Sequence, residues 1–432
     1  MEFFGTTKIK DNVLHIGGVN MALLAAEYKT PLYVIDETLV REKCRRYYKN
    51  FKVKDRGNRV AYAGKAFLTI AMCQIIDSEG LCLDVVSGGE LYTAMKSKFP
   101  MGKIYFHGNN KTIEEIEMGI ENSVGRFVVD NIHEIEMISE IAVRKNKVQK
   151  ILLRITPGIE AHTHDYIKTG QIDSKFGFTL LNNCTMEAVK AAIDLPNIKL
   201  EGLHAHIGSQ IFDFDPYIDE VDIMLSLIKD IKDELIYEIN ELDLGGGFGI
   251  HYREGDNPKK IEDFCEVICN RADIKAKELN IKLPMLAIEP GRSIIGKAGT
   301  TLYTIGSIKD IPSVRKYVAV DGGMTDNIRP ALYKAEYECL IANRAESDIK
   351  EMVTICGKCC ESGDILMSDA WIPRVKTGDI LAIPSTGAYG YSMSSNYNKI
   401  PRPAVVLVKE GRVKLICKRE RYEDMIKNEL FL

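Results

Sequence analysis

Between Arg59 and Arg292 the sequence alternates eight times between a short β-rich run and a longer stretch whose apolar residues recur at helical spacing. The runs are Val60–Ala63, Leu81–Val86, Lys103–His107, Arg126–Val129, Ile151–Ile155, Leu200–His206, Glu241–Leu244 and Met285–Glu289. Helical spacing is clearest over Thr112–Glu121, Ile132–Lys145, Tyr217–Lys232 and Ile261–Leu279. Eight strand-then-helix units are what a closed parallel (β/α)8 barrel requires. The competing architecture is an open doubly wound sheet. The barrel is preferred because the alternation runs through every unit and no dinucleotide-binding fingerprint follows the first run. Polar residues at the carboxyl ends of the runs then become the candidates for chemistry.

After about Gly296 the pattern changes to period-two runs without helices between them, as in Thr301–Ile308, Lys316–Val320, Glu351–Ile355 and Ala404–Val408. The expected fold class is therefore α/β plus β: a TIM-like barrel over 36–295, with a β-sandwich or β-barrel domain built from 296–432 and the segment 1–35. Val405–Ile416 reads as a hairpin with Glu410-Gly411 at its turn.

The 432-residue chain carries a formal net charge of −4 with both signs interleaved, which gives no extended basic surface for nucleic acid. Its apolar runs are strand-sized, well short of the roughly 20 residues that span a bilayer, so no membrane is expected as a partner. The first residues lack the basic-then-apolar order of a signal peptide, and the expected location is the cytoplasm. Eleven cysteines, an odd number spread through strands and helices, do not form a secreted disulfide framework. Cys356-Gly-Lys-Cys359-Cys360 has a CxxC spacing, but a second pair is missing and no metal is expected.

Lys65 closes the run Arg59-Val-Ala-Tyr-Ala-Gly-Lys65. A lysine held at the end of a buried strand is desolvated, which favours the neutral amine and with it Schiff-base chemistry; an isolated lysine would simply snorkel to solvent. Asp243-Leu-Gly245-Gly246-Gly247-Phe-Gly249 follows the seventh run. Four glycines in five residues exceed what a tight turn needs and suit backbone approach to a phosphate. The eighth run ends Glu289-Pro290-Gly291-Arg292, either a ring-nitrogen partner with an anion clamp or a structural ion pair. His204-Ala-His206-Ile-Gly208-Ser209 follows the sixth. Two histidines on one strand face could begin a metal site, or an imidazole could stack on a planar cofactor.

Together these segments resemble the fold-type III pyridoxal-phosphate decarboxylases, and within them the diaminopimelate decarboxylase branch, over nearly the whole chain. Tyr62-Ala-Gly-Lys65-Ala is similar to the cofactor-lysine segment, and Ser87-Gly-Gly-Glu-Leu91 to the next strand end. His162–Tyr166, Thr169-Gly170 and Ser174–Gly177 resemble the fifth-strand loop. His206–Ser209, Gly245–Phe248 and Glu289–Arg292 continue the match. In the β domain, Arg329–Tyr333, Cys360–Asp364, Thr386–Gly390 and Met393–Asn398 resemble the diaminopimelate branch. The chain departs from the pattern at Phe67, Tyr337 and Ala404, where Asn, His and Glu are usual.

The resemblance implies pyridoxal 5'-phosphate as cofactor, bound through Lys65, and conversion of meso-2,6-diaminopimelate to L-lysine and carbon dioxide as the last step of lysine biosynthesis. It implies that Glu289 keeps the pyridine nitrogen protonated and that His206 stacks on the ring. It further implies that Gly245, Gly246, Gly247, Ser209 and Arg292 hold the phosphate, and it places Asp84, Gly291 and Tyr389 among the cofactor contacts. Arg292, Arg329, Tyr333 and Tyr389 are implied to bind substrate, Glu361 to meet its distal ammonium, and Cys360, assisted by Lys65, to return the proton. It implies a homodimer with shared active sites. The alternatives are a sister decarboxylase of D-ornithine, D-lysine, arginine or carboxynorspermidine, and a non-catalytic cofactor-binding protein, which would generally lack the β domain.

Overall fold

The computed structural model describes residues 2–54, 56–159, 174–346 and 349–432. The chain forms two compact units, one of Lys43–Gly249 with Pro258–Gly291 and one of Met1–Glu42, Ile250–Asn257 and Arg292–Leu432. The expected His162–Tyr166 and Thr169–Gly170 segments lie outside the described residues.

The first unit is the barrel. Its strands are β1 (Arg59–Ala63), β2 (Cys82–Val85), β3 (Ile104–Phe106), β4 (Arg126–Val129), β5 (Gln149–Thr156), β6 (Ile198–Ala205), β7 (Glu241–Asp243) and β8 (Met285–Ile288). Every neighbouring pair is parallel, and the sheet closes where Ala287 and Ile288 of β8 pair with Arg59 and Val60 of β1. The eight expected runs all become barrel strands. Their short apolar stretches are buried on both faces, as a sheet lined inside and covered by helices outside demands. The helices begin where side chains satisfy the otherwise orphaned N–H groups: Thr112 and Glu115 form a capping box for Ile113–Glu121, and Asn131 caps Ile132–Arg144.

Inside the barrel, Ala61, Tyr105, Val128 and Leu152 pack together. The first residues of β1, β4 and β7 add a charge cluster in which Arg126 and Glu241 are buried and Arg59 half-buried: Arg126 Nε donates to Glu241 at 2.6 Å, Arg59 Nη1 lies 3.2 Å from the same carboxylate, and Tyr105 donates its hydroxyl. Removing one partner would strand a charge in a low-dielectric interior.

The second unit is one nine-stranded mixed sheet with a separate three-stranded meander near its N-terminus. The long strand Gly299–Ile311 organises it, pairing antiparallel with Leu32–Asp36, Ile380–Pro384 and Arg315–Val320. Ala404–Lys409 runs parallel to Leu32–Asp36 and turns back as Arg412–Cys417. The turn residues Glu410 and Gly411 have φ of 49° and 76°, both positive as a two-residue hairpin turn of matching twist requires. The segment Ile250–Asn257 directly follows the glycine motif in sequence yet belongs to this unit. Among the described residues no helix is long and apolar enough to cross a membrane. All eleven cysteines are free.

Candidate active site

In the barrel unit the chemistry-bearing residues gather at the carboxyl ends of the strands. β1 stops at Ala63 and Lys65 stands in the single 3-10 turn Gly64–Ala66. Its side chain is exposed in this chain, contrary to the expectation of a desolvated amine, although Gly64 and Ala66 on either side of it are buried. The β8 turn is pressed against this segment: Ala63 N–H donates to Pro290 O at 3.3 Å, and a Cβ on Gly291 would come within 2.9 Å of Ala63 Cβ. Glycine at 291 therefore lets the Glu289 and Lys65 segments meet.

Glu289 is buried immediately after β8. His107 Nε2 lies 2.6 Å from its Oε1 and His204 Nε2 lies 3.2 Å from its Oε2. Burial opposes its charge, but the two imidazoles overcome it and hold the carboxyl well below the usual range. The opposite holds for two other buried carboxyls. Burial, reinforced by the Glu289 charge, pushes both Asp84 and Asp243 well above their ordinary values. Burial lowers His107 to about 3 and lowers His204 as well, which favours the neutral imidazole in both. His107, His204 and Glu289 also have the composition of a metal-binding set, their nearest ligand-type atoms lying within 4.8 Å. Ligands around a tetrahedral ion sit about 3.3 Å apart. The 2.6 Å between His107 and Glu289 is instead a hydrogen bond.

β6 ends at Ala205, so His206 leaves the strand instead of sharing a face with His204. Its Nδ1 accepts the Gly246 N–H at 3.2 Å. Burial drives its pKa well down, with the nearby Lys65 charge next in importance. Ser209 follows in the same loop, half-buried. The glycine run is packed from both sides. A Cβ on Gly246 would approach Glu289 O to 2.3 Å, and Gly247 has a φ of +100° with Gly208 O 2.6 Å from where its Cβ would be. The Gly245 N–H donates to Asp243 Oδ1 at 2.9 Å and the Gly246 N–H to His206. Gly247 is the glycine of the three whose N–H finds no acceptor among the described residues.

The β unit carries a second cluster. Arg292 opens the short helix Arg292–Ile295, and its Nη1 donates to Tyr252 Oη at 2.7 Å. Arg292 also lies over the Tyr389 ring, 4.8 Å from its centroid. Tyr389 holds a left-handed φ of 60°, a conformation a tyrosine rarely adopts without being held. Arg329 begins the helix Arg329–Tyr333, sits 4.7 Å from the Tyr252 ring centroid and donates to Tyr337 Oη. Burial raises the Tyr252 pKa, yet the two guanidinium groups bring it below its ordinary value. Burial opposes the Arg329 charge, and Tyr252 and Tyr337 hold it above its ordinary range. No carboxylate pairs with Arg329 among the described residues, although it is 7% exposed. Tyr333, in the same helix, is half-buried.

Cys360 and Glu361 are exposed on a loop that Asp364 pins down: Asp364 accepts the Met324 N–H at 2.7 Å and the Cys359 N–H at 2.8 Å. Cys360 N–H donates to Asn398 Oδ1 at 2.8 Å. Glu361 Oε1 accepts from Gly363 N–H at 3.1 Å.

Sequence reasoning singled out neither His107 nor Tyr252 nor the role of Tyr337. His107 ends the third expected run, where a polar residue is a signal; Tyr252 lies three residues past the glycine motif and carries none. The barrel residues fit pyridoxal phosphate on two observations. A buried carboxyl is kept ionised, as a protonated pyridine nitrogen requires, and a glycine loop with an uncommitted N–H lies beside it.

A family profile described as pyridoxal-dependent decarboxylase, pyridoxal binding domain, matches residues 37–296. The diaminopimelate decarboxylase of Bacillus methanolicus is 52% identical over 421 residues, covering 97% of this chain and 98% of that protein. That of Bacillus subtilis is 50% identical over 417 residues, covering 96% and 95%. The crystal structure of the M. jannaschii diaminopimelate decarboxylase in complex with L-lysine superposes with a TM-score of 0.93 at 38% identity, covering 99% of this chain and 98% of that one.

Proposed function

The chain belongs to the pyridoxal-dependent decarboxylases, in the diaminopimelate decarboxylase family, and from that premise we propose that it converts meso-2,6-diaminopimelate to L-lysine and carbon dioxide. The cofactor is pyridoxal 5'-phosphate. The observation that supports the substrate is Arg329, a buried guanidinium partnered by tyrosines and by no carboxylate among the described residues. A buried cation of this kind is costly unless an anion joins it, and the distal carboxylate of a diamino diacid supplies one.

Bound pyridoxal phosphate supplies a sink for the electron pair left on carbon when carbon dioxide departs. The residues of the chain do the rest. Lys65 Nζ anchors the cofactor. Glu289 would accept the hydrogen bond of a protonated ring nitrogen, Asp84 would be among the cofactor contacts, and His206 would stack on the ring. Gly247 N–H, Ser209 and Arg292 bind phosphate, while Gly245 and Gly246 contribute the close approach that lets the loop reach it. Arg329 and Tyr333, with Arg292 and Tyr389, orient the substrate carboxylate, and Glu361 takes the distal ammonium. Cys360 Sγ, assisted by Lys65 Nζ, delivers the proton that replaces the departing carboxylate, so the carbon loses carbon dioxide and gains one hydrogen.

The 36–295 segment serves as the cofactor domain and 1–35 with 296–432 as the substrate domain of a cytoplasmic homodimer, in which Cys360, Glu361 and Tyr389 complete the partner's site. Free cysteines throughout agree with a reducing compartment.

Carbon dioxide release from meso-diaminopimelate, lysine and ornithine, with and without added cofactor, tests the reaction. Release from diaminopimelate alone, lost in Arg329→Ala, is expected; equal release from lysine or ornithine would point to a sister decarboxylase. Mixing inactive Lys65→Ala and Cys360→Ala proteins tests the shared sites. Re-assorted dimers regain about a quarter of the wild-type activity if each site draws on both protomers, and none if each site is self-contained.

A further inference from the structure

Three buried carboxyls, Asp84, Asp243 and Glu289, lie at the carboxyl ends of β2, β7 and β8, and they differ in what surrounds them. Asp84 Oδ1 and Asp243 Oδ2 have no hydrogen-bond partner among the described residues. Both oxygens of Glu289 are met by imidazole nitrogen, one from the end of β3 and one from β6. The two rings are mutually braced, with centroids 4.8 Å apart at an interplanar angle of 71°. His107 N–H is tied to Val85 O at 2.8 Å, so its ring enters from a fixed backbone. His204 is 1% exposed and pairs in register with Arg154 and Asp243 on the flanking strands.

We propose that His107 and His204 form a two-imidazole clamp, positioning Glu289 as an oriented carboxylate so that it holds the proton on the cofactor ring nitrogen. The inference rests on the cofactor reading above and adds the two residues that make Glu289 effective. Chemistry fixes the tautomers. A neutral imidazole can donate to a carboxylate only through a protonated nitrogen, so both rings carry hydrogen on Nε2 and leave Nδ1 bare. His204 Nδ1 has no hydrogen-bond partner among the described residues, which suits a lone-pair nitrogen and would be costly for a buried N–H. Each donor occupies one lone pair of a carboxylate that has about four acceptor sites, so capacity remains for the ring N–H.

The clamp also accounts for the opposite directions in which these carboxyls shift, Glu289 below its ordinary range and Asp84 and Asp243 above theirs. Charges on neighbouring buried carboxyls oppose one another, and the two N–H donors favour the charge on Glu289 over the other two. Asp84 Oδ1 is 3.8 Å from His107 Nε2, beyond hydrogen-bond reach, whereas Glu289 Oε1 is 2.6 Å away. The histidine is thus committed to Glu289. His107 and His204 are positioning residues, since each acts on the cofactor through Glu289.

The test compares glutamine, whose amide can reach the Nε2 position, with asparagine, which reaches only the Nδ1 position. The readouts are the dissociation constant of pyridoxal phosphate from the purified protein and the 15N resonance of ring-labelled cofactor in the loaded protein. In His107→Asn and His204→Asn, the resonance should move toward that of an unprotonated pyridine and cofactor affinity should fall on the order of 10- to 100-fold, the weight of one hydrogen bond to a charged group. His107→Gln and His204→Gln should stay near wild type. Both amides are small, polar substitutions, so unequal behaviour reports reach and not folding. Asparagine and glutamine variants indistinguishable from wild type in both readouts would overturn the clamp. An unprotonated ring nitrogen in the wild-type protein would instead overturn the Glu289 role, and the clamp with it.

Discussion

Tyr252→Phe removes one oxygen from the arginine cluster and leaves the ring in place. The lost contact is the 2.7 Å hydrogen bond from Arg292 Nη1 to Tyr252 Oη, while the stacking of Arg329 on the ring, 4.7 Å from its centroid, persists. A hydrogen bond to a charged group contributes roughly 1.5–3 kcal/mol, so kcat/KM for diaminopimelate should drop by about 10- to 150-fold. The drop should appear mainly in KM, because a carboxylate clamp binds ground state and transition state alike. Tyr252→Leu also removes the cation–π contact and should cost a further ~0.5–2 kcal/mol. Steady-state carbon dioxide release at varied substrate measures both. A Tyr252→Phe enzyme with unchanged kcat/KM, or a leucine variant no worse than phenylalanine, would refute the idea that Tyr252 sets the guanidinium positions.

Two further predictions concern stability. His107 is neutral when folded with a pKa of about 3 and is restored to its ordinary value of 6.5 on unfolding. The unfolded state therefore binds the extra proton between those values, and the stabilising contribution present above pH 6.5 is lost as pH falls toward 3. Urea unfolding across this window should show a smaller slope in His107→Gln, by as much as one proton or ~1.4 kcal/mol per pH unit; an unchanged slope would mean the imidazole is not buried neutral. Glu241→Ala should destabilise the barrel by roughly 3–5 kcal/mol, since Arg126 would lose its buried partner, and a loss below ~1 kcal/mol would show that water or Tyr105 replaces it.

The barrel was legible because its evidence is local: each strand is a short apolar run bounded by a helical pattern, and eight such units without a dinucleotide fingerprint favour a closed barrel over an open sheet. The Glu410-Gly411 hairpin was legible for the same reason, its turn chemistry being written in two adjacent residues. The glycine run announced a close backbone approach, and Gly246 against Glu289 O is such an approach. The number of its N–H groups left for an anion could not be read, because their acceptors, Asp243 and His206, are set by folded geometry. Lys65 was expected in a desolvated place since it ends an apolar run, but in the 3-10 turn Gly64–Ala66 it is exposed between two buried neighbours. Tyr252 escaped notice because its partners Arg292 and Arg329 are far away in sequence and nothing periodic links them. His107 looked like a lone polar residue at a strand end until Glu289, 182 positions away, closed on it.

Borohydride reduction of the cofactor-loaded protein, followed by peptide mapping, tests the placement of the cofactor most directly. The label should appear on the peptide containing Lys65 and be absent from Lys65→Ala. Label retained in that variant, or found on another lysine in the wild type, would contradict the assignment of the β1 strand end as the cofactor site.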